Sequence, residues 1–154
     1  MGAISTPFTG QSTALYVSAS TLGLASVAAG TLVGEVQNIG DIELSANVIE
    51  VSKYGSDYKS KLVGQKDSGS IDVTLNWVPD ASAQSEHDLL QQHYNSGAKL
   101  YFAIVWNEGA NQAGCTFGGF VTSFAISQPL EDVVTLNVSI AIDGAVAIDD
   151  DGTF

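Results

Sequence analysis

Apolar and polar side chains alternate through most of this chain. In Asp41–Val48, the apolar Ile42, Leu44, Ala46 and Val48 alternate with Asp41, Glu43, Ser45 and Asn47. In Ile71–Trp77, the apolar Ile71, Val73, Leu75 and Trp77 alternate with Asp72, Thr74 and Asn76. In Val134–Asp143, the apolar Val134, Leu136, Val138, Ile140 and Ile142 alternate with Thr135, Asn137, Ser139, Ala141 and Asp143. Each run predicts a strand with one buried and one polar face. Leu100–Trp106 is apolar on both faces, which predicts an interior strand. Cys115–Ile126 predicts a strand with a bulge or bend at Gly118-Gly119. Thr31–Val36 predicts a short strand before a turn at Gly40. The phase slips at Val48-Ile49, so a bulge is expected there, because a one-residue slip exchanges the two faces.

One segment has a helical period. Ala83, Leu90 and Tyr94, with Leu89 beside them, form an apolar stripe. Asp80 or Ser82 can cap its start, Glu86 and Asp88 suit its first turns, and Asn95-Ser96-Gly97 supplies a stop. The spacing predicts a helix over 82–96. A mainly β chain with one helix packed on it follows, as a β-sandwich or a barrel-like fold. The connection Ser52–Ser68 is 17 residues long. Irregular connections beyond about 12–15 residues are usually functional or disordered. This one holds Tyr54, Tyr58, Leu62 and Val63, which a solvated loop does not need, so it is expected to dock on something.

Charge sharpens that expectation. The chain has 154 residues, most simply one domain (1–154), with 17 acids, five lysines and no arginine. Lys53, Lys59, Lys61 and Lys66 all fall in the connection, and the fifth is Lys99. With Asp57 and Asp67, residues 53–67 carry +2, which leaves −14 on the rest of a chain of net charge −12. Such a layout suits self-association, with the basic loop of one copy meeting an acidic face of the next. It does not suit nucleic-acid binding, since a phosphate backbone would be repelled by nearly every other surface. No charged side chain precedes Glu35. Met1–Ser12 lacks the basic region of a signal peptide, and Thr13–Val33 is too interrupted by Ser, Thr and Gly to span a membrane. Residues 1–30 are therefore expected to be an extended N-terminal arm with one or two short strands, and 144–154 an acidic C-terminal tail.

Catalytic and metal chemistry find little footing. His87 and His93 are six apart, not the four of a zinc-binding helix, and are expected to be exposed or half-buried. Cys115 lies on a strand with Phe117 and Phe120 and is expected to be a core thiol. Gly114–Gly119 lacks the signatures of a phosphate loop or a nucleophile elbow. Asp149-Asp150-Asp151-Gly152 lacks the spacing of a calcium loop. Glu131 and Asp132 are adjacent and would point apart on a strand. No cofactor and no enzymatic activity are expected.

The order of features resembles the major tail tube proteins of long, flexible-tailed, lambda-like bacteriophages. The opening Met1–Gly10 looks like their N-terminal arm. Gly34–Asp41 and then Val48–Ser52 resemble their first lumen hairpin strand, and Gly64–Leu75 the return strand. Asp88–Gly97 looks like the helix that follows, and Phe117–Phe124 with Val134–Asp143 completes the pattern. The resemblance implies a structural virion protein of the tail. Hexameric rings would stack into a tube, and double-stranded DNA would pass through it into the host without specific binding. Self-association would be the main contact. The tape measure protein and the tail terminator and tip proteins are the further partners implied. Assembly in the host cytoplasm, without a membrane, is implied too.

On that resemblance Asp41, Glu43 and Asp72 are expected to face the bore. Lys53, Tyr54, Tyr58, Lys59, Lys61, Leu62 and Lys66 are expected to contact the next ring. Two other readings remain open at this point. One is a secretion-system tube built from similar hexameric rings. The other is a carbohydrate-binding β-sandwich using Trp77, Trp106 and Tyr101, although both tryptophans are in phase with apolar neighbours and so fit a core better.

Overall fold

The computed structural model describes residue 7 and residues 9–78, 85–108 and 111–149. Its strands are β1 (Thr13–Ser18), β2 (Thr31–Leu32), β3 (Val36–Ile39), β4 (Ser45–Val51), β5 (Ser60–Asp67), β6 (Ser70–Asn76), β7 (Leu100–Glu108), β8 (Asn111–Ser127) and β9 (Thr135–Asp149). The helix α1 spans Ser85–Ser96 and is the only α-helix among the described residues. Seven strands form one antiparallel sheet in the order β2-β1-β7-β8-β9-β6-β3, curled into a half-barrel. β4 and β5 form a separate two-stranded ribbon. The chain thus takes the barrel-like form of the expected mainly β fold.

Alternation explains the core, because every second side chain of each strand points to one face. Leu15 lies opposite Ile104, and Ile104 opposite Cys115. Val17 lies opposite Phe102, and Phe102 opposite Phe117. Val121 lies opposite Ile140, which faces Ile71, and Val138 and Leu136 pair with Val73 and Leu75. All of these are buried in one cluster. Each such side chain contributes about 1.5–3 kcal/mol by leaving water. On β7, Ala103 and Val105 are buried as well as Phe102 and Ile104, as expected of an interior strand. The register of β8 shifts between Thr116 and Gly118 and again between Val121 and Ser123. A Cβ on Gly119 would lie 2.5 Å from the Ala141 carbonyl oxygen, so only glycine lets β9 approach there. The helix closes the core with Leu90, and Tyr94 stacks on Phe124 with ring centroids 6.2 Å apart. Gly97, at φ +69°, ends the helix and donates its N–H to the His93 carbonyl at 2.9 Å. The expected caps Asp80 and Ser82, with Ala83, lie outside the described residues.

Several boundaries differ from the sequence expectation. Within 1–30 the expected short strand is Thr13–Ser18, β1, which lies between β2 and β7 with Leu15 and Val17 buried, and the departures from an extended arm are the 3-10 turns Gly10–Ser12 and Leu24–Ala29. Residues 1–6 and 8 lie outside the described residues. The tail 144–154 is strand up to Asp149: Ala147 pairs with Thr116 and Ile148 with Cys115. Residues 150–154 lie outside the described residues. The expected strand Thr31–Val36 divides into β2 and β3 at Gly34-Glu35, where Glu35 takes φ +61°. The expected strand Asp41–Val48 is irregular from Gly40 to Leu44 and becomes strand only at Ser45. The connection Ser52–Ser68 is irregular only as far as Lys59, because Ser60–Asp67 is β5.

Candidate assembly interface

β3 with β4, and β5 with β6, are two arms of one long hairpin bent at a single level. β3 pairs with β6 inside the main sheet, and β4 pairs with β5 beyond the bend. At the bend Gly40 donates its N–H to the Asp72 carbonyl at 2.6 Å, and a Cβ on Gly40 would lie 2.9 Å from that oxygen. On the other arm Gly69 takes φ +65° and Ser68 is buried, donating its hydroxyl to the Gly144 carbonyl at 2.7 Å. Ile142 donates its N–H to the Gly69 carbonyl at 3.0 Å. The root of the ribbon is therefore fixed to β9 while its outer part is free of the core.

Beyond the root no other described element covers the ribbon. Val48 pairs with Val63, Ile49 with Leu62 and Glu50 with Lys61. Paired residues share a face and successive residues alternate, so Val48, Val63, Glu50 and Lys61 occupy one face and Ile49 and Leu62 the other. Both faces are open: Val48 is 60 % exposed, Val63 68 %, Ile49 51 % and Leu62 57 %. The tip carries Tyr54 and Tyr58, both highly exposed. Single exposed apolar residues are ordinary, but a contiguous group on a protruding element marks an interaction surface. An isolated two-stranded ribbon is marginal in water, so these open faces suit burial against another surface.

The ribbon also concentrates the positive charge. Lys53 and Lys59 lie at the tip, and Lys61 and Lys66 on β5. Lys59 pairs with Glu50 at 3.3 Å, with both side chains more than half exposed. Exposed pairs of this kind contribute about 0–1 kcal/mol. The structure thus brings the seven expected contact residues Lys53, Tyr54, Tyr58, Lys59, Lys61, Leu62 and Lys66 onto one element. It is a hairpin rather than an irregular loop, and its exposed apolar surface includes Val63, already singled out with the connection, and Val48 and Ile49, which were not.

The expected bore trio is divided. Asp72 lies between the buried Ile71 and Val73, so its carboxylate is on the sheet face away from the core, where it accepts a hydrogen bond from the Ser139 hydroxyl at 2.5 Å. On the same face Thr74 donates to the Asn137 side-chain carbonyl at 2.9 Å. Asp41 and Glu43 are exposed in the irregular segment, and Asp41 lines a groove of about 680 Å3 at the open mouth of the half-barrel. The apolar lining of that groove comes from Val36, Ile39, Ile42, Leu44, Ile104 and Trp106, with Ile148 at its end. Hence these three acids do not share one strand face, because the backbone leaves the β ladder at Gly40.

A second finding concerns the inner root of the hairpin. Contrary to expectation, His87 is buried, at 1 % exposure. Its Nδ1 accepts the Val78 N–H at 3.2 Å, so the neutral ring carries its proton on Nε2 and donates it to the Gly34 carbonyl at 3.2 Å. The neighbouring Glu86, also buried, accepts the Gly34 N–H at 3.1 Å. The helix thus holds both polar groups of the residue before the left-handed Glu35, where β3 begins. Spacing between the two histidines carried no signal of this, since the partners are backbone atoms 53 and nine residues away. His93 is half-buried as expected, with Nδ1 on the Leu89 carbonyl at 3.0 Å. Cys115 is buried in the core and its pKa is pushed up to about 11 by desolvation. Trp77 and Trp106 pack against the core, and Tyr101 lies under the Lys99 ammonium at 5.4 Å. Among the described residues there is no cluster that could hold a metal ion, and no helix long and apolar enough to cross a membrane.

Residues 20–148 match the family model described as lambda phage tail tube protein. No curated protein matches the sequence. Solved structures share the fold at low identity. The SPP1 tail tube superposes with a TM-score of 0.63 at 16 % identity, over 94 % of this chain and 80 % of that one. The tail of an empty gene transfer agent particle, refined with C6 symmetry, gives 0.65 at 13 % identity, over 92 % and 98 %. The sheath/tube terminator of an extracellular contractile injection system gives 0.69 at 14 % identity, over 96 % and 99 %.

Proposed function

This chain belongs to the lambda phage tail tube protein family, and on that premise we propose that it polymerises into hexameric rings, stacked into a tube through which double-stranded DNA leaves the virion. The observation that carries the polymeric reading is the β4–β5 ribbon, exposed on both faces and rooted rigidly at one end. A contact between the ribbon of one copy and a different surface of the next is heterologous, and where the operation relating the two copies includes a translation it propagates along an axis rather than closing. Ring closure by six copies is supported by the C6 symmetry of the gene transfer agent tail. The role is structural and needs no catalytic group.

The bore is assigned to the polar sheet face that carries Asp72, Thr74, Asn137 and Ser139. Duplex DNA carries one negative charge per about 1.7 Å, so a wall of carboxylates and neutral hydrogen-bonding groups lets it slide, whereas lysines would hold it by counterion release. Asp72 is the member of the expected trio that this assignment keeps in the bore. The tape measure protein would occupy the same bore before DNA. Terminator and tip proteins would cap the two ends, and assembly would take place in the host cytoplasm. Negative-stain microscopy of the purified protein tests the reading. Long tubes with six-fold end views are expected. Rings that never stack would favour a secretion-type ring, and monomers at every concentration would contradict polymerisation altogether.

A further inference from the structure

We infer that the groove at the mouth of the half-barrel is the receptor for the hairpin tip of another copy. This rests on the stacking reading and adds the place where the tip docks. The groove has an apolar floor, from Ile39, Ile42, Ile104 and Trp106, and Asp41 in its lining. Glu43 is exposed next to Ile42 and Leu44, both of which line the groove. The tip has the complementary chemistry. Tyr54 and Tyr58 are its exposed aromatic anchors, and Lys53 and Lys59 flank them. Tyrosine suits such a pocket because its ring is apolar and its hydroxyl can remain at the polar edge.

The hairpin cannot easily serve the groove of its own chain. β4 leaves the groove wall directly after Leu44 and runs outward for seven residues. At roughly 3.3 Å per residue the tip stands about 23 Å from the wall. A copy translated by that distance along the hairpin axis would present its own groove to the tip. Tip-in-groove is thus a head-to-tail contact that every copy can give and receive once. Opposite charges at its edge would set orientation, and the buried aromatic rings would supply most of the affinity.

Three variants test this against wild type by pelleting of polymer. The first is Lys53→Glu with Lys59→Glu, the second Asp41→Lys with Glu43→Lys, and the third carries all four changes in one chain. The first two should each raise the critical concentration at least tenfold, and the third, with the charges exchanged, should recover most of that loss. Separately, Tyr54→Cys and Leu44→Cys proteins, mixed and oxidised, should form the mixed disulfide-linked pair, while the buried Cys115 stays unreactive. Loss in the first variant without loss in the second would overturn the groove as receptor and leave stacking standing. Loss in both without recovery in the third, or no mixed pair, would overturn it too. A wild-type chain that never polymerises would overturn the stacking reading, and the tip-in-groove contact with it.

Discussion

Replacing Ile49 and Leu62 together by Thr should separate folding from assembly. The two side chains face each other across the ribbon and are 51 % and 57 % exposed in the single chain. Thr is a strand former and keeps Ile49 β-branched, so the ribbon's own preference is preserved. Surface substitutions of this kind usually change stability by no more than about 0.5 kcal/mol each. Assembly is a different matter. Fully burying an aliphatic side chain contributes about 1.5–3 kcal/mol, and roughly half of that is still unrealised at each position. The pair therefore withholds about 1.5–3 kcal/mol per contact. At 1.4 kcal/mol per factor of ten, the critical concentration for polymerisation should rise roughly 10- to 140-fold. Denaturant unfolding of the monomer would give nearly the wild-type midpoint, and sedimentation across a concentration series would give the shift. A critical concentration within threefold of wild type would refute the idea that this ribbon face is buried between copies. A collapse in monomer stability would refute the idea that the ribbon stands apart from the core.

His87→Ala should cost the monomer about 2–4 kcal/mol, since it strands the Gly34 carbonyl and the Val78 N–H and leaves a hole beside the helix; a denaturation midpoint unchanged from wild type would contradict the clamp. Gly119→Ala should destabilise by about 1–3 kcal/mol through overpacking against the Ala141 carbonyl, an effect that thermal unfolding would register and that would be missing if β8 and β9 were further apart. Cys115, with its pKa pushed up to about 11, should be almost wholly thiol at pH 8 and inert to a disulfide reagent until the protein unfolds. Rapid labelling of the native protein would place the thiol outside the core.

The sequence was most legible where one face of a strand meets the core. Ile71–Trp77 and Leu100–Trp106 were read almost at their observed limits, and Val134–Asp143 at its start but not its end, since β9 runs on to Asp149. Burial of one face imposes a period of two on β6 and the first part of β9, and burial of both faces gives β7 its continuous apolar run. β5 was lost for the converse reason. Lys61, Leu62, Val63, Gln65 and Lys66 lie on a ribbon with no buried face, so nothing in the single chain selects an alternation. What marked the segment instead was its mixture of lysine, tyrosine and aliphatic residues, which identified the contact surface while hiding its shape. Asp41 and Glu43 were placed on a strand because alternation runs through Asp41–Leu44, although the backbone there leaves the ladder. The role of His87 was invisible, since its partners are main-chain groups brought close only by the fold.

Helical reconstruction of the assembled protein by electron microscopy tests the central claim most directly. The account predicts that Val48, Ile49, Leu62 and Val63 are covered by neighbouring copies along the whole polymer. A tube in which the β4–β5 ribbon remains in solvent on both faces would contradict it.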